Sequence, residues 1–157
     1  WTIFRPSVIF GRGDSLTTRF VRLLRLTAGV LPLARAGAHF APIHVDDVVR
    51  AFRRALGGGA TRRQTYELCG PEVLTLEQIV RLSAAAARVP CHILPLPDAL
   101  GRLQGALAQH LPGKPFSLDN YRSLTIDSLC REDGCARLGL VPASLGALAP
   151  LWLAPRR

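Results

Sequence analysis

Thr2 to Asp14 reads TIFRPSVIFGRGD, and these residues decide the fold. Ile3, Phe4, Val8, Ile9 and Phe10 put apolar side chains on both faces of an extended segment. Such a strand belongs in a parallel sheet covered on each side, because a strand with one wet face alternates polar and apolar residues. Gly11-Arg12-Gly13-Asp14-Ser15 turns the chain into an expected helix, with Leu16, Phe20, Leu23, Leu24 and Thr27 as its apolar stripe. Arg19, Arg22 and Arg25 follow each other at i, i+3, i+6 on its other side. A solvated face and a contact with an anion or lipid both suit that row.

Further along, Gly37 to Pro42 reads as a loop and Asp46 to Leu56 as a helix. Asp46 and Asp47 stand at its start, where carboxylates satisfy free N–H groups and favour the dipole. Val48, Phe52, Ala55 and Leu56 are expected inside, with Arg50, Arg53 and Arg54 outside. Gly57-Gly58-Gly59 ends this helix. Gln64 to Leu68 is a short strand, broken by Gly70-Pro71. Thr75, with Gln78 three residues on, forms a capping box for a helix through Arg88. Cys91 to Leu96 is a strand candidate, Asp98 caps a helix through Leu111, and Leu118 to about Thr125 forms another. A helix end and turn over Cys135 to Pro142 precede a terminal apolar helix from about Ser144. Strands alternating with helices indicate the α/β class.

The composition narrows the function. The formal net charge is +9, and all basic residues but Lys114 are Arg. A basic surface favours nucleic acid, anionic lipid or an acidic protein, but no nucleic-acid motif or aromatic–basic interleaving is present, which argues against nucleic acid. Cys69, Cys91, Cys130 and Cys135 show no Cys-x-x-Cys spacing. They are expected to be small buried hydrophobes in a reducing compartment, with neither zinc nor a disulfide framework. Prolines 142, 150 and 155 interrupt the uncharged run from Leu138 to Pro155, so a membrane span is not expected there. The 157 residues contain no Met and open on an apparent inner strand, so we expect the later part of a longer protein.

Several segments carry a family resemblance. Arg5-Pro6-Ser7-Val8-Ile9-Phe10-Gly11 resembles the RPxxxYG strand-end motif of extended and atypical short-chain dehydrogenase/reductases. Ala41-Pro42-Ile43-His44-Val45-Asp46-Asp47-Val48 resembles their hVxDVa segment. Tyr66 to Gly70, Thr75 to Gln78, and Leu138 to Pro142 follow in the family's order. Within this NAD-dependent epimerase/dehydratase superfamily, TIFRPSVIFGRGD, YELCGPEVLTLEQIV and LPLPDALGRLQ are most similar to the branch holding the nucleotide-binding accessory subunit of respiratory complex I, the alpha subcomplex subunit nine type.

The resemblance implies the C-terminal part of a Rossmann-type fold: a single partial domain over 1–157. Residues 1–70 would form the last sheet strands and helices, and 71–157 a mostly helical, substrate-side subdomain. It implies an NAD(P)H-binding parent whose phosphate-gripping half is not in this chain. Gly11-Arg12-Gly13 reaches Leu16 where a third glycine is needed, and Gly57-Gly58-Gly59 follows a helix instead of a strand. The family's Tyr-x-x-x-Lys pair, in which the Lys cation lowers the Tyr pKa for proton transfer, is absent: neither Tyr66 nor Tyr121 precedes Lys114 by four. No catalytic residue and no metal ligand is therefore assigned.

What the resemblance retains is one wall of the cleft. Backbone groups of Pro6, Ser7 and Val8 would meet the nicotinamide carboxamide, with Pro6 stacking near the ring; the plain alternative is a strand that simply ends at Pro6. His44 is expected to be structural. Gly101 and Gly105, spaced Gly-x-x-x-Gly, suggest close helix packing. Phe40-Ala41-Pro42 stand where sugar-nucleotide epimerases carry Arg-Asp-aromatic, and an apolar residue cannot hold a diphosphate. The implied function is structural and cofactor-binding, with complex I subunits or an anionic membrane surface as partners of the arginine faces. The location implied is cytoplasmic, or peripheral on the inner face of the cytoplasmic membrane. The alternative is part of an active NAD(P)-dependent reductase or epimerase.

Overall fold

The computed structural model of the chain describes residues 1–57, 61–97, 100 and 127–155. Apart from Leu100, the expected helices over 98–111 and 118–125 lie outside the described residues, as do Lys114, Tyr121, Gly58, Gly59, Gly101 and Gly105.

The described strands are β1 (Thr2–Pro6), β2 (Ile9–Phe10), β3 (Val30–Ala34), β4 (His39–Phe40), β5 (Ile43–His44), β6 (Gln64–Leu68), β7 (Leu74–Thr75) and β8 (His92–Leu96). The helices are α1 (Thr17–Leu26), α2 (Val45–Leu56), α3 (Leu76–Ala87), α4 (Gly134–Arg137), α5 (Leu145–Leu148) and α6 (Pro150–Leu153). β1 runs parallel to β6 with Pro6 opposite Leu68, and β2 runs parallel to β5 with Ile9 opposite Ile43. β3 runs parallel to β8, while β4 and β7 are antiparallel. Parallel pairs joined through helices are the α/β architecture that the opening strand required.

The expected first strand is broken at Ser7 and Val8, so one segment serves two partners, β6 and then β5. β6 and β8 form where expected. β3 lies in a segment where no element is expected: Pro32 argues against a strand, yet the surrounding Leu31, Leu33 and Ala34 are buried. β4 likewise lies within the expected loop over Gly37 to Pro42.

The helix starts follow their side chains. At α3 the capping box closes both ways: Thr75 Oγ1 accepts from Gln78 N at 3.2 Å, and Gln78 Oε1 accepts from Thr75 N at 2.7 Å. α2 is capped by His44, whose Nδ1 accepts from Asp46 N at 3.4 Å, and not by Asp46 or Asp47. Asp47 is buried instead, ion-paired with Arg50 and accepting from Ala143 N at 2.9 Å. A buried carboxylate needs such partners to offset its lost hydration. The inner face of α2 also differs: Val48 and Ala51 are buried, whereas Phe52 is 51% and Leu56 87% exposed. In α1, Val21 is buried and Thr27 is an exposed cap residue.

Two cores result. One joins α1, α3, β3 and the terminal helices through Leu24, Leu33, Ile79, Val80 and Leu145. The other lies under α2 and α4, with Ile43, Ala51, Tyr66, Leu68 and Cys135. Each fully buried Leu or Ile contributes roughly 1.5–3 kcal/mol by leaving water. Among the described residues, no helix is long and apolar enough to cross a membrane.

Candidate functional site

The C-terminal ends of β1 and β6 meet at Ser7. Its N–H donates to the Leu68 carbonyl at 2.9 Å, extending the parallel ladder one residue past Pro6. Its Oγ donates to the Ser128 carbonyl at 2.6 Å and accepts from Ala41 N at 3.2 Å. The Val8 carbonyl accepts from Ile43 N at 3.0 Å, which starts the β2–β5 pair. Ser7 is therefore buried at a junction of three segments, while Pro6 stands exposed on the rim and Val8 is half-buried. Ser7 has spent its N–H and hydroxyl inside the protein. Among the described residues, the Val8 N–H donates no hydrogen bond outside the strand ladders.

A strap over Asp127–Glu132 lies along this rim. Ser128 N donates to the His39 carbonyl at 2.9 Å, and Ala41 N also reaches the Ser128 carbonyl at 3.2 Å. Glu67 Oε2 accepts from Arg131 N at 2.5 Å and Glu132 N at 3.4 Å, and these two N–H groups hold the Glu67 carboxyl below its ordinary pKa.

A disulfide between Cys69, just past β6, and Cys130 fastens the strap, contrary to the expectation of no such framework. The cysteines are 61 residues apart, so spacing carries no sign of contact; the strand end and the returning strap bring them together. Cys91 and Cys135 are free, and Cys135 is buried with its Sγ 3.5 Å from the Cys69 carbonyl. Burial, with the nearby Asp133 charge, pushes the Cys135 thiol pKa up. Ser128 and the disulfide were not recognised from the sequence, because nothing local links Ser7 to a residue 121 positions away.

Other polar residues take structural places. The His44 ring stacks 6.0 Å from Trp152 and lies 5.3 Å from Phe10. Tyr66 is buried beneath the Arg137 guanidinium, 4.6 Å above its ring. Phe40, Ala41 and Pro42 are all buried at the rim's base. Among the described residues, no three His, Cys, Asp or Glu side chains could hold a metal ion.

The fold recurs in solved structures. UDP-glucose 4-epimerase of Thermotoga maritima superposes on 97% of the chain and 44% of its own length, with a TM-score of 0.65 and 17% identity. A nucleoside-diphosphate-sugar epimerase of Staphylococcus aureus covers 94% of the chain and 50% of its own length, with a TM-score of 0.67 and 14% identity. Over its described length, the chain has part of the Rossmann-like fold of these epimerases. RMD of Pseudomonas aeruginosa, solved with NADPH, covers 96% of the chain at a TM-score of 0.62 and 17% identity. In sequence, the chain is similar to the mitochondrial NADH dehydrogenase [ubiquinone] 1 alpha subcomplex subunit 9 of Arabidopsis thaliana, at 29% identity over 92% of this chain. The chain spans 39% of that plant protein, so well under half its length is represented. No family model matches the chain.

Proposed function

We propose that this chain supplies the nicotinamide-side wall of an NAD(P)H-binding protein of the complex I accessory-subunit kind, with a structural and cofactor-holding role. The observation that carries the reading is the rim itself. Two parallel strand pairs end together, with Pro6 exposed and the Val8 N–H without an acceptor among the described residues, at the carboxyl ends of the strands, where ligands bind in such folds. Pro6 would face the ring and Val8 N–H the carboxamide oxygen. Ser7 would act as a positioning residue, since its own donors are used within the protein.

The similarity to the plant subunit and the NADPH held by a fold relative support the cofactor class. The buried Phe40-Ala41-Pro42 base supports a site without a sugar-diphosphate grip. The exposed Arg22 and Arg25 of α1 would dock on acidic complex I subunits or an anionic membrane surface at the inner face of the cytoplasmic membrane.

The test is calorimetric titration of NADPH into the 157-residue chain and into the same chain joined to its upstream coding region. Binding only by the longer protein, without NADPH oxidation when a small carbonyl or quinone is added, is expected. Steady oxidation would favour the reductase reading; no binding by either protein would remove the cofactor reading.

A further inference from the structure

The cleft at the other end of α2 has a different chemistry. Helix α2 spans about 18 Å at 1.5 Å per residue; its first turn lies beside the rim, and its last turn borders a cavity of about 690 Å³. Arg50, Arg53, Arg54 and Gly57 line it from the helix; Gly139, Leu140 and Val141 line it from the turn after α4.

The three guanidinium groups are not equivalent. Arg50 is held by the buried Asp47 and donates to the Val141 carbonyl at 3.2 Å, so its charge is compensated and its direction set. Arg53 and Arg54 have no carboxylate within ion-pair distance among the described residues. A Cβ on Gly139 would lie 3.4 Å from Arg54 Nη1, and the backbone there has φ +62°. Glycine adopts that φ without strain and leaves the Arg54 head room at the cleft wall. The helix C-terminus carries only about half a negative charge, which two arginines more than offset. A net positive cleft remains, with planar donor forks on one side and the exposed Val141 as an apolar lip on the other.

We propose that this cleft binds a phosphate monoester carried on an organic body. Two uncompensated guanidinium groups match the roughly −1.5 to −2 charge of such a group, and their forks pair with its oxygens two at a time. A single carboxylate would satisfy only one of them. The site is independent of the dinucleotide reading, because it shares no residue with the rim.

The experiment titrates the 157-residue chain with glycerol 3-phosphate, and separately with phosphatidylcholine vesicles with and without phosphatidic acid. It compares the natural chain with Arg53→Gln/Arg54→Gln and with Arg81→Gln/Arg88→Gln. The second pair removes the same charge from exposed positions on and just after α3, so it controls for overall basicity. All four arginines are exposed, and circular dichroism checks that each variant keeps its helices. Losing two charge-assisted hydrogen bonds predicts at least about tenfold weaker binding for the α2 pair. The α3 pair should stay within about twofold of the natural chain. Saturable binding of the soluble ester assigns the source as a small molecule; binding only to phosphatidic acid vesicles assigns it as a lipid headgroup. Equal weakening by both pairs, unchanged binding in the α2 pair, or no binding of either probe overturns the proposal.

Discussion

Reducing the Cys69–Cys130 bond should cost the protein a large part of its stability. The two cysteines are 61 residues apart, so the bond closes a long loop in the unfolded chain. By loop-closure entropy that restriction contributes about 4 kcal/mol at 25 °C. A domain's whole stability is typically about 5–15 kcal/mol. A loss of that size should lower the melting temperature by roughly 8–16 °C for a chain of this length. The assay is thermal and urea unfolding, followed by circular dichroism, with and without dithiothreitol. Cys69→Ser/Cys130→Ser in the absence of reductant should melt where the reduced natural chain melts, and dithiothreitol should not move it further. Cys91→Ser, which changes a free thiol, should retain the full response to reductant. Coincident melts of oxidised, reduced and doubly substituted protein would refute the reasoning, because they would mean that the bond closes no loop in solution.

Other outcomes can be measured separately. Gly70→Ala should destabilise the chain by at least about 3 kcal/mol in urea unfolding, since the added Cβ would fall 1.6 Å from the Pro42 carbonyl oxygen, a backbone atom that cannot swing away. Glu67 has a folded pKa below its unfolded value, so its contribution is present above the unfolded pKa and is lost as pH falls through the folded one. Glu67→Gln should therefore be less stable than the natural chain near neutral pH, and the gap should close as the solution is acidified below the ordinary carboxylate range. With the Cys135 thiol pKa raised by burial, iodoacetamide should label Cys135 far more slowly in the native chain than in urea at the same pH, read by mass spectrometry.

The readable parts of the fold were those fixed by local chemistry. The Thr75/Gln78 box and the Gln64–Leu68 strand depend on residues within a few positions of one another, and both form as expected. The inner face of α2 was not readable in this way. Phe52 and Leu56 are as apolar as Val48, and helical periodicity alone could not decide which stripe the neighbouring strands would cover. The strand β3 carries no clear sign in the sequence, since Pro32 interrupts its apolar run; it pairs with β8 among the described residues. The strand-end motif did foretell that β1 ends at Pro6. The burial of Ser7 under Ser128 was not foretold, since it depends on where the chain returns 121 residues later.

The single hydroxyl of Ser7 joins the end of β1, the backbone at Ala41 and the returning strap. Substitutions at those three places therefore share one energetic account, and their effects should not add. A double-mutant cycle between Ser7→Ala and a change in the strap would give a coupling energy, whereas two changes in separate cores would give none. A change that displaces one arm of the junction should therefore alter the effect of changes at the other two.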